Sequence, residues 1–240
     1  MANPADSDAV DDPPFDPRLR RKYRIRILIF LCGAVVLFAS LSTLYRAVST
    51  VAYLGIVESE RDQWQRPGDV IAHLRLQEGA VVADVGSGAG YFTLKLSRLV
   101  GPRGRVVAVD IRKLPLFFLW IRARTSGRYN VRTIVGDQED PRLPIGLVDA
   151  VLISNTYHEF QNPGSMLVHL SKSLRRGGRL VVLDHIATPL DERKDHPHEL
   201  SPDIVDDQLR EKGFAILERQ DRFIVRSKGE LWWLIEARLN

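Results

Sequence analysis

The chain has 240 residues, 45% hydrophobic and 27% charged, which suits one globular domain with an appendage. Its net charge of +4 is evenly spread: residues 1–57 carry seven Lys/Arg against five Asp, and the remainder 27 basic against 25 acidic residues. No basic stripe with interleaved aromatics marks a nucleic-acid groove, and the single Cys32 leaves no disulfide framework and no cysteine-based metal site.

Residues 1–17 are rich in Asp and Pro, lack periodicity and read as disordered. A basic cluster follows at Arg18, Arg20, Arg21, Lys22, Arg24 and Arg26, and then residues 27–45 run without a charge. As a helix this run spans roughly 28 Å, about one hydrocarbon core. It has no polar face, as a core helix would, and it is longer than the apolar stretch of a cleaved signal peptide. The expected organisation is a disordered, basic tail over 1–26, a single-pass membrane anchor over 27–57 and a globular domain over 58–240. Six basic residues precede the run, and only Arg46, Arg61 and Arg66 follow closely, so the positive-inside bias puts the domain outside the cytoplasm.

Residues 58–76 read as a polar lead-in and a helix, with Pro67 near its start. From residue 80 the pattern alternates. Short β-branched runs lie at 80–85, 105–109, 131–135, 148–153 and 179–184, and helical stretches separate them. Such alternation predicts a doubly wound, Rossmann-like α/β domain with a parallel sheet. Residues 214–218 and 231–237 have no full helix between them and predict an antiparallel C-terminal pair.

The first strand runs into Gly86-Ser87-Gly88-Ala89-Gly90 and a helix. A glycine-rich turn here presents backbone N–H groups and a helix N-terminus to a ligand. Asp110 ends the next strand 22 residues after Gly88, where an acidic side chain can accept bonds from ribose hydroxyls. A dinucleotide fingerprint would place its third glycine at Tyr91. That disfavours a nicotinamide-dependent oxidoreductase, and Asp84 before the loop suits a cofactor with a positive amino group.

The segments "VADVGSGAGYFTLKLS", "VVAVD", "GDQEDPRLP", "VDAVLISNTYHEF" and "LRRGGRLVVLD" resemble the successive motifs of class I S-adenosylmethionine-dependent methyltransferases. Within that family they are most similar to the small-molecule type that includes the ubiquinone/menaquinone-biosynthesis enzymes. The resemblance covers residues 58–240 and implies a seven-stranded, mostly parallel sheet of order 3-2-1-4-5-7-6. It implies S-adenosylmethionine as cofactor, with Asp84 and the loop of Gly86, Ser87, Gly88 and Gly90 holding the methionine part. By the same resemblance Asp110 binds the ribose, Asp137 and Gln138 meet the adenine edge, and Asn155 lines the methyl-transfer site. Because the methyl donor is cytosolic, the resemblance puts the domain on the cytoplasmic side, against the positive-inside bias. A non-catalytic cofactor-binding membrane protein is the alternative.

On the acceptor side, Tyr157-His158-Glu159 follow the fourth strand at the carboxyl edge of the sheet, where ligands bind. His158 is the candidate proton acceptor, with Tyr157 a weaker catalytic candidate. Asp149, at the start of that strand, reads as structural, and Asp184-His185 ends the fifth strand facing the site. His196, His198 and Glu199 look metal-like, but Pro197 breaks the pairing and no third ligand follows, so no metal is expected. Arg61, Trp64 and Pro67 resemble the family's N-terminal lid segment, where Trp64 either caps the cofactor or packs. Residues 114–121 hold seven large apolar residues, more than one buried helix face takes, and Arg122, Arg124 and Arg128 follow. Either the membrane, a partner or a thicker core packed by the N-terminal helix covers them. The expected partners are a small, apolar methyl acceptor and the membrane, with no nucleic acid.

Overall fold

The computed structural model describes residues 17–186, 200–226 and 230–240. Two compact units emerge, residues 1–50 and 51–240. The first consists of the N-terminal part of a long helix, α1 (Pro17–Trp64). This helix begins ahead of the apolar run, so the basic cluster read as tail is helical from Pro17 onward. Between Pro17 and Pro67 no proline interrupts the hydrogen-bond ladder. In the apolar stretch Ser40, Thr43 and Thr50 each donate to the carbonyl four residues back at 2.8 Å, so their hydroxyls are satisfied within the helix. Among the described residues this one helix is long and apolar enough to cross a membrane. Residues 1–16 of the 1–17 segment expected to be disordered, and the His196, His198 and Glu199 group, lie outside the described residues.

The second unit contains the sheet. Its strands are β1 (Val81–Val85), β2 (Arg105–Asp110), β3 (Val131–Val135), β4 (Val148–Ser154), β5 (Leu174–His185), β6 (Phe214–Val225) and β7 (Leu231–Leu239). The order is β3-β2-β1-β4-β5-β7-β6, with β7 antiparallel to both neighbours and the other pairs parallel. This is the expected doubly wound order. Alternate residues of the inner strands go to opposite faces. Val82, Val106, Ala108 and Leu152 pack with α2 (Pro67–Ala72), α3 (Tyr91–Val100) and α4 (Lys113–Thr125). Ala83, Val107, Val151 and Ile153 pack with α5 (Pro163–Ser173) and α6 (Pro202–Glu211). Covering both faces requires the unbroken apolar runs that mark these strands in the sequence.

The strand order reverses between the parallel strands β1 and β4: from β1 the chain proceeds to β2 on one side and from β4 to β5 on the other, which opens a crevice at their carboxyl ends. Asp149 fastens this junction. It accepts the Val81 N–H at 2.7 Å and pairs with Arg175 at 2.5 Å, the structural role its position suggests. Buried Glu236 on β7 is matched by Arg179 and by His73 at 2.8 Å. These partners offset the cost of burying the carboxylate.

Candidate functional site

The glycine loop is built by β2 and its own neighbours. Gly86 and Ser87 both donate their N–H to the Val109 carbonyl, at 2.8 and 2.9 Å, and Gly88 donates to Asp110 Oδ2 at 2.9 Å. Two of the three glycines answer to the protein rather than to a ligand. A Cβ on Gly86 would lie 2.0 Å from Thr156 Oγ1, and one on Gly90 would lie 2.3 Å from Leu119 Cδ1. Only at Gly88 would a Cβ meet nothing within 4 Å. Thr156, after β4, is thus a loop-supporting residue that the motif pattern did not single out.

Below this loop a cavity of about 420 Å³ opens at the crevice, a volume suited to a small molecule. Asp84, Gly86, Ser87, Gly88, Asp110, Asp137, Gln138 and Asn155 all line it, as the sequence suggests. Gly90 does not; it is the helix cap of α3, packed under Leu119. Arg61 lines the cavity too, while Trp64 packs away from it, 5.4 Å from the Trp232 ring with Arg226 over its face at 4.1 Å. Of the two readings of Trp64, packing is the one observed. Two buried hydroxyls on the wall, Ser87 Oγ and Ser154 Oγ, have no hydrogen-bond partner in the structure. Buried polar atoms of this kind fit a ligand carrying several polar groups.

The charges on the wall are placed with care. Asp84 is buried and accepts the Thr93 hydroxyl at 2.5 Å. Burial pushes its carboxyl up to about 6, against the opposing hydrogen bonds of Thr93 and the nearby Arg61 charge. Arg61, stacked 3.9 Å over the Tyr91 ring, is itself lowered by burial. Asp110 accepts the backbone N–H of Arg112 at 2.8 Å on its other oxygen. Asp137 lies at the exposed end, 3.2 Å from Arg142.

The Asp84 shift has a measurable consequence. The folded, ligand-free chain holds this proton more tightly than the unfolded chain, whose aspartates titrate near 3.9. Stability contributed by the protonated carboxyl is therefore full below about pH 4 and lost as pH rises through about 6. Relative to Asp84→Asn, which does not titrate there, the wild type is expected to lose about 3 kcal/mol across that window, read by urea unfolding at each pH. A constant difference between the two proteins would show that the carboxyl titrates normally.

Beyond Asn155, which has φ 55° and donates its N–H to Leu183 at 2.7 Å, a 3-10 turn carries Tyr157–Glu159. Tyr157 is a correction to the catalytic reading. Its ring is buried against Phe160, its hydroxyl donates to Gln208 on α6 at 2.6 Å, and burial raises its pKa. His158 is not among the cavity-lining residues, although Ser154, Asn155 and Thr156 on one side and Glu159 and Phe160 on the other are. Its Nδ1 faces Asp184 Oδ1 at 2.9 Å, and His185 Nδ1 lies 3.3 Å from the same oxygen. Burial alone would raise Asp184, but the hydrogen bonds from His158 and His185 hold it at about 2. His158, Asp184 and His185 could also hold a metal ion, since their donor atoms lie within 4.8 Å of one another. Two imidazole N–H groups shared by one carboxylate account for the same arrangement.

Comparison with known proteins agrees with this geometry. Residues 76–229 match the family described as "Methyltransferase domain". The ubiquinone/menaquinone biosynthesis C-methyltransferase of Pasteurella multocida is 33% identical over 117 residues, 48% of this chain and 44% of that protein. Its counterpart in Vibrio vulnificus is 33% identical over 107 residues, 44% of this chain and 41% of that protein. The chain thus spans less than half the length of these curated relatives. Among solved structures, a SAM-dependent methyltransferase from Aquifex aeolicus is 26% identical, with a TM-score of 0.64 over 76% of this chain and 93% of that one. The geranyl diphosphate C-methyltransferase from Streptomyces coelicolor shares the fold, at 17% identity and a TM-score of 0.58 over 73% of this chain and 79% of that one.

Proposed function

Since this chain belongs to the class I S-adenosylmethionine-dependent methyltransferases, we propose that it is a membrane-anchored member acting on a small, apolar, hydroxyl-bearing acceptor such as a quinol, phenol or lipid-like molecule. The observation that carries the reading is the cavity at the β1/β4 crevice, walled by the glycine loop, Asp84, Asp110 and two unpartnered serine hydroxyls. S-adenosylmethionine, when bound, supplies a methyl group already activated on a sulfonium. The chain's own residues then bind, orient and exclude water. Asp84 would hold its amino group, Arg61 its carboxylate, Asp110 the ribose hydroxyls, and Asp137 with Gln138 the adenine edge.

His158 is the proposed proton acceptor. With Nδ1 held toward Asp184, Nε2 would take the proton that the acceptor hydroxyl loses when the methyl donor is bound. On a hydroxylated ring the loss of that proton also enriches the ring carbons in electron density. For methylation at carbon, the methylated ring carbon must then lose its own proton to restore the aromatic ring while the oxygen regains one. The curated relatives are named for C-methylation.

Membrane attachment rests on α1. Its charge-free run inserts by hydrophobicity, which salt does not screen. The full-length chain is therefore expected to stay in the membrane pellet through a high-salt wash, with the catalytic unit open to protease on the cytoplasmic side, where the cofactor is made. Recovery in the soluble fraction without detergent would remove the anchor from this reading. The activity itself is tested by incubating the protein with native lipid extract and labelled methyl donor and identifying the labelled product. Transfer to protein or nucleic acid in place of a small molecule would overturn the acceptor class.

A further inference from the structure

The apolar excess of α4 resolves into two faces. Leu116 and Leu119 are buried against the sheet, and Arg122 is buried too. It pairs with Glu58 at 2.5 Å and donates to the Ala89 carbonyl, so it tethers α4 to α1 and to the glycine loop. The other face carries Leu114, Phe117 and Trp120, exposed by 65%, 54% and 47%. Steps of three residues set them on one stripe, and the Phe117 and Trp120 rings stack 6.4 Å apart. Lys113, four residues before Phe117, and Arg124, four after Trp120, are exposed on the same stripe.

Both ends of this stripe continue in kind. Past its C-terminal end, Arg98, Arg103, Arg105, Arg128 and Arg132 line an open cleft of about 470 Å³. At its N-terminal end, half-exposed Ile111 lines the ligand cavity. Leu54 and Val57 of α1 line that cavity as well, and their neighbours Tyr53 and Ile56 are exposed.

We propose that the Leu114–Phe117–Trp120 face of α4 is an interfacial docking surface. It lies in the headgroup layer of an anionic bilayer and brings the Ile111 side of the ligand cavity to the lipid, from which an apolar acceptor enters. Apolar and aromatic side chains flanked by cations are the composition of a helix that rests in that layer. A second copy of the chain fits less well. A two-fold contact through this stripe would set Lys113 and Arg124 against their own kind, while anionic headgroups neutralise them. The docking of α4 rests on the proposed membrane attachment, and the entry of the acceptor from the lipid rests on the proposed methyl transfer as well.

The test uses full-length protein reconstituted in phosphatidylcholine/phosphatidylglycerol vesicles with acyl chains brominated near the headgroup. The Trp120 share of the fluorescence is the wild-type emission less that of Trp120→Phe. Bromine is expected to quench that share roughly twofold or more, and aqueous iodide to leave it nearly unchanged. Phe117→Glu should weaken the bromine quenching, while S-adenosylhomocysteine binding by both variants shows that they fold. Vesicle-bound protein whose Trp120 is reached by iodide but not by bromine overturns this inference alone. Trp120 shielded from both quenchers also overturns it, in favour of a protein covering the face. Protein that fails to bind vesicles overturns the membrane attachment as well.

Discussion

Replacing His158 by alanine is expected to lower turnover about 10²–10⁴-fold while leaving the affinity for S-adenosylhomocysteine nearly unchanged. A neutral hydroxyl is a poor nucleophile until its proton leaves, and the residue that takes it must be an unprotonated base held in place. Asp184 supplies the holding. It is fully buried, accepts the His158 ring at 2.9 Å, and remains a carboxylate because its pKa is held at about 2. The rate of the wild type should fall on acidification as the imidazole protonates. His158→Ala should lose that dependence along with the rate. Single-turnover measurement separates the methyl-transfer step from product release. Full turnover by the variant would make His158 a structural partner of Asp184, and orientation would then carry the catalysis.

Asp110→Ala is expected to weaken binding of S-adenosylhomocysteine by about 3 kcal/mol, or roughly 100-fold. Two hydrogen bonds from ribose hydroxyls to a charged acceptor are lost, each worth about 1.5–3 kcal/mol. The ligand-free site loses something too. Asp110 Oδ2 holds the Gly88 N–H and Oδ1 the Arg112 N–H, so the variant releases the glycine loop from the end of β2. Calorimetry measures the affinity, and a dissociation constant within about threefold of wild type would mean that ribose is recognised elsewhere. Asp110→Asn separates the two contributions, since an amide oxygen can still accept one loop bond.

The strand runs, the crevice and most of the cavity wall were legible in the sequence because each follows from short-range patterns, whereas the order of the strands came from the resemblance of the motifs to a known family. Strands buried on both faces must be continuously apolar, so β1, β2, β4 and β5 announce themselves. A ligand-binding turn needs glycines at a strand end and an acid at the next, so Gly86, Gly88 and Asp110 are found by spacing. Two of the loop glycines also have a reason that the spacing does not carry. Gly86 and Gly90 make room for Thr156 and Leu119, contacts made across the fold.

The acceptor side was less legible. Tyr157 and His158 are adjacent in sequence, yet a 3-10 turn sends one ring into the core toward Gln208 and leaves the other beside Asp184. Nothing local distinguishes them, because the discriminating partners lie 51 and 26 residues away. Arg61 and Trp64, in one short segment, separate in the same way: Arg61 lines the cavity and Trp64 packs on Trp232.

By itself the sequence determined the fold class, the cofactor crevice and the apolar segment of α1, because hydrophobic period, glycine spacing and charge-free length are properties of contiguous residues. Only the tertiary structure decided which side chains of a motif face the cavity, that Asp184 orients His158, and that α4 buries Leu116, Leu119 and Arg122 but exposes Leu114, Phe117 and Trp120. Burial and hydrogen-bond partners are set by residues brought together from distant parts of the chain, and no local pattern encodes them.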